Sequence, residues 1–285
     1  MENAEKNKVV ASTLYLVATP IGNLSDITER ARKVLSEVDF VAAEDTRNTA
    51  KLLSCYGIRR ELISYYEHNK RESGERIVAR LLSGESCALV TDAGMPAISD
   101  PGEDLVRMCA NAGIAVMIIP GACAAVSALA LSGLPTARFA FEGFLPAKAG
   151  ERRTRLNAVA SEERTMIFYE APHKLKATLS DMCNAFGECR KIALCRELTK
   201  INEETVRMTL GEAVAYYSEH EPRGEYVLVI EGGSQDKVGD NALLSLSPEE
   251  HVAHHESLGL ERMAAIKAAA KDRGMSKSEF YKLLV

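Results

Sequence analysis

The stretch LVTDAGMPAISDPG, residues 89–102, decides how the rest of the chain is interpreted. It continues a short apolar run into a segment of glycine, proline and small residues. Glycine lets a ligand approach the backbone closely, and proline fixes the shape of a loop. A strand that ends in such a loop is typical of the ligand-binding edge of an open parallel sheet. Taken alone, the stretch also fits an ordinary tight turn between a strand and a helix.

Two more loops of this kind follow apolar runs elsewhere in the chain. ATPIGNL (18–24) follows the first run, and IPGACA (119–124) follows a later one. The first of these loops has a single glycine and is not the GxGxxG fingerprint, and the chain has no GxxxxGK[ST] phosphate loop. The strongest sequence signals for NAD and ATP are therefore missing.

Apolar runs and helical patterns alternate along the first half of the chain. The runs occupy residues 14–18, 38–42, 62–65, 88–91 and 115–119. Helical periodicity between them predicts βαβ crossovers and a largely parallel sheet. Later runs occupy residues 139–142, 165–169, 191–196, 205–209 and 226–230, and their clustering predicts a mixed sheet. We therefore expect an α/β fold with a parallel-sheet domain at 12–121 and a mixed-sheet domain at 122–233.

A small helical module is expected at residues 242–285, after a polar linker at 232–241. Ser247 and Glu250 have the spacing of a capping box, with a proline at the first helical position between them. Gly274 suits the end of a helix. The tail should therefore form short, explicitly capped helices.

Two other interpretations of this tail are weaker. The string KDRGMSKSEFYKLL resembles the turn and second helix of a helix-turn-helix, but a small helical cap explains it equally well. Three histidines share one helical face, at positions His251, His254 and His255. No cysteine or carboxylate set in the sequence suggests that they form a metal site. We expect neither a DNA partner nor a metal.

Composition narrows the class of protein further. Of the 285 residues 46% are hydrophobic and 26% charged, the balance of a folded globular chain. The net charge of −5 argues against a general nucleic-acid coat but allows one local basic site. The polar start and the lack of a long apolar run predict a cytoplasmic protein without a membrane partner. Seven scattered cysteines without a CxxC pair predict buried thiols rather than disulfides or zinc ligands.

Taken together, ordered strings along the chain resemble the tetrapyrrole-methylase superfamily. They are LVATPIGNLSDIT (16–28), AAEDTRNTAKLL (42–53), YEHN (66–69), VTDAGMPAISDPG (90–102), SGLPTARFAFEGFLP (132–146), FYEAPHKL (168–175), CRELTKINEE (195–204) and GEYVLVIEGG (224–233). The EDTR, FEGFLP and FYEAPHK strings are similar to the branch that methylates the 2′-oxygen of a cytidine ribose in bacterial 16S rRNA. The sequence departs from the family pattern at Met95, at Ala122-Cys123 and at Ala171, so hydroxyl contacts at those positions are not carried over.

The resemblance implies a fold, a cofactor and partners. It implies two α/β domains with S-adenosylmethionine in the cleft between them, no metal, and a homodimer that acts on 16S rRNA of the small subunit at nucleotide C1402. The cofactor residues that it implies lie in the three loops. They are Thr19, Pro20, Gly22, Asp92, Ala93, Gly94, Pro96, Ile98, Ser99, Asp100, Pro120, Gly121 and Ala122.

Methyl transfer to a ribose hydroxyl needs a group that accepts the hydroxyl proton. The candidates are Asp45 or Glu44 acting with Arg47, and His68 as the competing base. The two acidic residues would equally stabilise the positive end of the following helix, and the histidine could be an ordinary exposed residue. The sequence does not choose among them.

Basic residues supply candidate contacts to RNA phosphates. The densest stretch contains Lys148, Arg152 and Arg153, and the same surface could extend through His173, Lys174, Arg196 and Lys200. A solvated helix face or a structural ion-pair network would explain the same charges.

Two other functions remain open at this stage. One is methylation of a tetrapyrrole or of a protein side chain, which would require a pocket for that acceptor. The other is a ribosome-binding factor that keeps the fold without catalysis. The basic stretch counts against the first, and the three ligand-shaped loops count against the second.

Overall fold

Two five-stranded sheets make up most of the computed structural model, which describes residues 8–233, 246–273 and 275–284. The first sheet contains β1 (Thr13–Val17), β2 (Phe40–Ala43), β3 (Glu61–Ser64), β4 (Cys87–Val90) and β5 (Ala115–Ile119). These strands are all parallel and lie in the order β3-β2-β4-β1-β5. The predicted parallel sheet is therefore confirmed.

Helices cover both faces of this sheet. They are α1 (Glu29–Glu37), α2 (Thr46–Cys55), α3 (Lys70–Leu82) and α4 (Gly102–Asn111). Because side chains alternate along a strand, neighbouring residues enter opposite cores: Leu14 packs with Phe40, whereas Tyr15 packs with Val41. Burial on both faces explains why the central strands are continuous apolar runs rather than alternating ones.

The second sheet contains β6 (Phe139–Phe144), β7 (Thr165–Glu170), β8 (Lys191–Arg196), β9 (Glu204–Thr209) and β10 (Tyr226–Ile230). Its order is β6-β7-β10-β8-β9; β6 and β7 are parallel, and the other neighbours are antiparallel. The predicted mixed sheet is confirmed. Helix α5 (Ala124–Ser132) packs on one face, and α6 (Ala149–Ala158), α7 (Pro172–Phe186) and α8 (Leu210–Glu219) contribute to the core on the other.

Three strands, β5, β8 and β10, have the predicted boundaries, and the other seven differ from the predicted ones by at most two residues at either end. The predicted second strand begins at residue 38, but Val38 still donates its N–H to the Val34 carbonyl and ends α1. The strand begins at Phe40, after Asp39 has accepted hydrogen bonds from Ser86. The apolar residue Val38 therefore belongs to the end of the helix, because contacts with residues far away in sequence set where the strand begins.

The order of the first sheet brings three strand ends together. β4 lies between β2 and β1, so the loops that follow these three strands leave the same edge side by side. Thr19 and Gly94 join two of these loops through a pair of backbone hydrogen bonds of 2.9 and 3.1 Å. Two of the three loops predicted to bind a ligand, those after β1 and β4, are therefore joined directly.

Both sheets belong to one compact unit that extends to Glu231, so the predicted boundary at residue 121 stays a prediction. A second unit contains α9 (Pro248–Ser257), α10 (Arg262–Asp272) and α11 (Lys277–Tyr281) around Val252, Ile266 and Phe280. The predicted capping box at Ser247 is present. Residues 234–241 of the predicted linker and Gly274 lie outside the described residues. Within the described part of the chain, no helix has the length and apolarity needed to cross a membrane.

Candidate active site

A cavity of about 540 Å³ lies where the loops of the first sheet meet strand ends of the second. One wall comes from the first sheet and is lined by Ile21, Glu44, residues 91–95 and residues 98–100. The other wall comes from the second sheet and from α5, and it includes Cys123, Phe144, residues 169–172, residues 197–198, Lys200 and residues 225–227. We call this space the main cavity. Its size suits a ligand of cofactor dimensions.

The loop after β4 reaches the main cavity in a strained backbone conformation. Ala97 and Ser99 both have positive φ, 67° and 63°, which costs a non-glycine residue about 1–2 kcal/mol. Asp100 holds this conformation, because its Oδ1 accepts hydrogen bonds from the N–H groups of Ala97 and Gly102. Its other oxygen, Oδ2, is buried and has no partner among the described residues. An ammonium or hydroxyl group of a ligand would satisfy it.

The opposite wall has a matching strained loop. Glu197 and Thr199 have φ values of 51° and 65°. The Lys200 ammonium bonds to Glu197 at 2.8 Å and to Glu225 at 2.9 Å, which ties this loop to the start of β10. Strained backbone on both sides of one cavity indicates a binding site, since strain persists where the surrounding structure imposes it.

Aromatic side chains form the apolar part of the main cavity. Phe144 is 59% exposed and lies 5.3 Å from the Tyr169 ring, and both residues line the cavity with Tyr226. Burial raises the pKa of Tyr169 to about 12, so its hydroxyl stays neutral. This surface suits a flat heterocycle.

The lining of the main cavity is strongly acidic. Its carboxylates belong to Glu44, Asp92, Asp100, Glu170, Glu197 and Glu225, whereas Lys200 is its one lysine or arginine in the described structure. Because Lys200 is already paired with two of these carboxylates, the field inside the cavity favours a cation. A phosphate-bearing cofactor would meet repulsion here.

The candidate bases differ sharply in their environments. Glu44 lines the cavity and accepts a hydrogen bond from the Thr91 hydroxyl at 3.1 Å. Partial burial raises the pKa of its carboxyl group; the Thr91 hydrogen bond opposes this shift, and the charges of Asp92 and Asp100 add to it. A carboxylate with a raised pKa is a better proton acceptor than an ordinary one.

Asp45 instead has a structural role at the start of α2. Its Oδ1 accepts the Arg47 N–H at 2.8 Å as a helix cap, and the Arg47 guanidinium binds both carboxylate oxygens. The side-chain bond from Arg47 lowers the pKa of Asp45 to about 2. His68 is exposed in the turn before α3, beside Tyr66. Neither Asp45 nor His68 lines the main cavity in the described structure.

The structure brings together only some of the residues predicted to bind the cofactor. Asp92, Ala93, Gly94, Ile98, Ser99 and Asp100 line the main cavity. Pro20 and Gly22 line a neighbouring space of about 290 Å³, which we call the side cavity. Thr19 and Pro96 are buried behind these loops. Pro120, Gly121 and Ala122 precede the lining residue Cys123 without lining the cavity in the described structure.

The predicted RNA-binding residues are more heavily paired than their sequence suggests. The Arg152 side chain is only 8% exposed and bonds to Asp181 at 2.6 Å, so it does not offer its charge to a surface ligand. Arg153 shares Asp181 but is 65% exposed, and Lys148 is 82% exposed beside Glu151.

The other predicted contacts lie on α7 and at the end of β8 and the loop that follows it. His173 is exposed and Lys174 partly exposed in the first turn of α7, directly after the cavity residues Ala171 and Pro172. Arg196 pairs with Glu204, and its Nε is buried without a partner among the described residues. Arg196 and Lys200 are therefore both engaged in ion pairs.

Sequence reasoning missed most of the second wall. Phe144, Tyr169, Glu197 and Tyr226 line the cavity, and none of them is among the site residues predicted from the sequence. A signal existed, because three of them stand at or just after the ends of strands β6, β7 and β8. Tyr226 opens β10, which is antiparallel to β7 and β8, and so reaches the same edge from the other direction.

The cysteines differ in their exposure to solvent. All seven cysteines are free; Cys87, Cys109 and Cys195 are buried, but Cys55 and Cys189 are exposed, so the prediction of buried thiols was wrong for those two. Cys55 is the last residue of α2, and Cys189 lies in the turn before β8, so both thiols are at the surface.

In the helical unit, His251, His255 and Asp272 lie close enough to share a metal ion. Arg273 Nε donates to His251 Nδ1 at 3.0 Å, so His251 Nε2 carries its hydrogen and points it at Asp272. Burial lowers the pKa of His251, which favours the neutral form of the ring. A metal at Nε2 would require the proton on Nδ1, against the arginine. We therefore assign the cluster a role in joining α9 to α10.

Comparison with known proteins defines the class of this fold and site. Residues 13–214 match the family of tetrapyrrole (corrin/porphyrin) methylases. Because the match covers most of the chain, the protein belongs to this family of methyltransferases.

Relatives of higher sequence identity identify a branch of the methyltransferase family to which this chain is similar. The chain is 50% identical to a protein of Halalkalibacterium halodurans, over 95% of this chain and 94% of the relative. It is 47% identical to a Bacillus subtilis protein, over 94% and 92%, and 45% identical to one from Escherichia coli O157:H7, over 94% and 93%. All three relatives are named ribosomal RNA small subunit methyltransferase I.

Solved structures share the fold at lower identity. Uroporphyrin-III C-methyltransferase of Thermus thermophilus superposes with a TM-score of 0.55 at 20% identity, over 77% of this chain and 94% of that one. A structure of a Thermus thermophilus uroporphyrin-III C-methyltransferase in complex with S-adenosylhomocysteine gives 0.54 at 20% identity, over 77% and 97%. Cobalt precorrin-4 methyltransferase gives 0.54 at 17%, over 77% and 95%. These similarities confirm the two-sheet fold.

The strained loop depends on a glycine at the start of α4. A Cβ at Gly102 would lie 2.7 Å from Asp100 Oδ1 and 2.9 Å from the Ala97 nitrogen. We expect Gly102→Ala to lower stability by about 1–3 kcal/mol, because the loop must shift. Gly150→Ala is the matched control in another helix, since nothing lies within 4 Å of that position. Thermal unfolding of both variants measures the difference; equal Tm values would contradict the tight packing of this loop.

Proposed function

We propose that the protein transfers the methyl group of S-adenosylmethionine to the ribose 2′-oxygen of a cytidine in 16S rRNA of the small ribosomal subunit, at nucleotide C1402. The acidic lining of the main cavity carries this proposal, because it selects a positively charged donor. The name shared by the relatives supports a ribosomal RNA acceptor. The finer choice of ribose and nucleotide rests on the resemblance of the EDTR and FEGFLP strings.

The residues of the main cavity fit this donor. The partnerless oxygen of Asp100 would accept from an ammonium or hydroxyl group, and Phe144 with Tyr169 would pack against the adenine. Asp92 and the backbone of residues 93–94 would complete the cradle. When bound, S-adenosylmethionine supplies an electrophilic methyl group and leaves as a neutral thioether. No metal is needed for this chemistry.

Glu44 is the residue that we propose as the proton acceptor. The 2′-hydroxyl must lose its proton as the new oxygen–carbon bond forms, and a positioned carboxylate takes it. Glu44 lines the cavity, and its raised pKa fits this task. Asp45, with its carboxylate bound to Arg47, would keep α2 in place. Fixed positioning of donor and acceptor would supply the remaining acceleration.

RNA phosphates would contact the basic groups outside the cavity. Lys148, directly before α6, and Arg153, on that helix, expose their charges, while His173 and Lys174 follow the cavity wall on α7. Arg152 is left out of this surface because it is buried against Asp181. Backbone contacts of this kind position a nucleic acid without reading its sequence.

A tetrapyrrole is the alternative acceptor that the main cavity disfavours. A tetrapyrrole with several carboxylates would face the acidic lining of the main cavity and be repelled. A protein side chain meets no such conflict, and labelling distinguishes it directly. A factor without catalysis would not need strained loops on both walls.

Two further expectations accompany this function. A cytoplasmic location stays a prediction from the sequence. A homodimer is supported by apolar side chains exposed on the edge strand β5 and on α5, namely Met117, Ile118 and Val126. Sedimentation equilibrium is expected to give twice the chain mass of 31.0 kDa. A monomer at all concentrations would contradict the dimer.

Labelled methyl transfer tests the function. The purified protein is incubated with methyl-labelled S-adenosylmethionine and, in separate reactions, small subunits, free 16S rRNA, total protein and tetrapyrrole precursors. We expect 2′-O-methylcytidine after nuclease digestion of the RNA, and a primer-extension stop at C1402. Label only in tetrapyrrole or protein would overturn the proposal. Donor binding without label in any acceptor would favour the non-catalytic factor.

Two neighbouring carboxylates test the assignment of the base. Glu44→Gln should lower kcat by about 10²–10⁴-fold with donor affinity largely kept, whereas the matched change Asp45→Asn keeps most activity. In the unaltered enzyme, activity should fall as pH falls through the raised pKa of Glu44, since the protonated carboxyl cannot accept a proton. The Gln variant should lack this dependence. An equal loss in both variants would refute the assignment.

A further inference from the structure

The side cavity is a separate space beside the main cavity. It lies between the loop that follows β1 and helix α2, and it is lined by Pro20, Gly22, Leu24, Asn48, Leu52 and Asp92 among others. Its volume of about 290 Å³ is too small for the whole donor but large enough for a nucleobase. The donor and the proton acceptor of the proposed function both lie in the main cavity, so neither of them uses the side cavity.

Thr91 and Asp92 line both cavities and form their common wall. Thr91 also donates its hydroxyl to Glu44, the proposed proton acceptor. A ribose whose 2′-hydroxyl reaches Glu44 would therefore lie at this common wall. Its base, on the neighbouring carbon of the sugar, would extend into the side cavity.

The walls of the side cavity are held before any ligand binds. The Tyr56 hydroxyl donates to the Leu24 carbonyl at 2.7 Å and fixes the loop over α2. Asn23 caps the short turn at Leu24–Asp26 by accepting the Ser25 N–H. Leu24 and Leu52 offer apolar surfaces for the faces of a planar base. A preformed slot loses little entropy when it is filled.

The side cavity contains a hydrogen-bond donor and a hydrogen-bond acceptor next to each other. Asn48 Nδ2 lies 3.5 Å from Asp92 Oδ2, and both residues are exposed to the cavity. Cytosine carries an amino donor next to the N3 and O2 acceptors, whereas uracil carries an oxygen next to an N–H. A carboxylate beside an amide donor matches the cytosine edge, because the carboxylate accepts from the amino group and the amide donates to N3 or O2.

We propose that the side cavity binds the base of the acceptor nucleotide and selects cytosine, with Asp92 accepting from its amino group and Asn48 donating to its N3 or O2. This inference rests on the proposed function, since it assumes a nucleotide acceptor. It assigns Asn48 a role in specificity, while Asp92, at the common wall of the two cavities, would face both the donor and the base. The base leaves its stack to enter this slot, as in other enzymes that act on single nucleotides.

Asn48→Asp tests the base contact, because it removes the amide donor at nearly constant size. The variant is compared with wild type on small subunits that carry either cytidine or uridine at the acceptor position. We expect kcat/KM for cytidine to fall roughly 10- to 100-fold, and the preference for cytidine over uridine to shrink by a similar factor. Affinity for S-adenosylhomocysteine, measured by calorimetry, should stay within about twofold. Asn111→Asp, at an exposed helix end, controls for the added charge.

The outcomes separate the two proposals. If wild type methylates neither subunit, the proposed function fails. Two results with an active wild type would overturn the inference. In the first, Asn48→Asp keeps the wild-type preference for cytidine over uridine. In the second, Asn48→Asp loses activity on both subunits equally while donor binding is intact. A fall in preference for Asn48→Asp, with Asn111→Asp unchanged, supports the inference.

Discussion

Two backbone hydrogen bonds between Thr19 and Gly94 hold the loops on which the site depends. β1 and β4 are parallel neighbours, so the loops that follow them would otherwise diverge toward separate helices. Once joined, the first loop becomes a wall with Ile21 facing the main cavity and Gly22 lining the side cavity. Gly22 is needed there because a Cβ would lie 2.4 Å from the Lys200 side chain. One bridge thus shapes two cavities.

The proposed function uses the acidic lining both for binding and for catalysis, through the same field. Carboxylates around the main cavity favour a cationic donor, and the charges of Asp92 and Asp100 also raise the pKa of Glu44. Asp45, one residue further along, accepts three hydrogen bonds from Arg47, which lower its pKa to about 2. Adjacent carboxylates therefore have opposite pKa shifts, because the strand end directs one toward the cavity and the other toward the helix.

The basic helix α6 shows how far charge in a sequence differs from charge at a surface. Asp181 on α7 neutralises Arg152 in a buried pair and also binds Arg153. Only part of a run that looks uniformly basic is available to an RNA. The positive electrostatic field outside the cavity comes from the exposed basic side chains, which lie apart from the acidic lining of the main cavity.

The sequence by itself determined the two sheets, their helices and the three loops, because these depend on apolar periodicity and on glycine and proline, which act locally. It also determined the family, through ordered strings that cover most of the chain. Only the tertiary structure decided which carboxylate lines the main cavity, which arginine is buried, and that Asn48 stands beside Asp92. Those choices depend on distances between residues far apart in sequence, 44 positions in the last case, which no local pattern encodes.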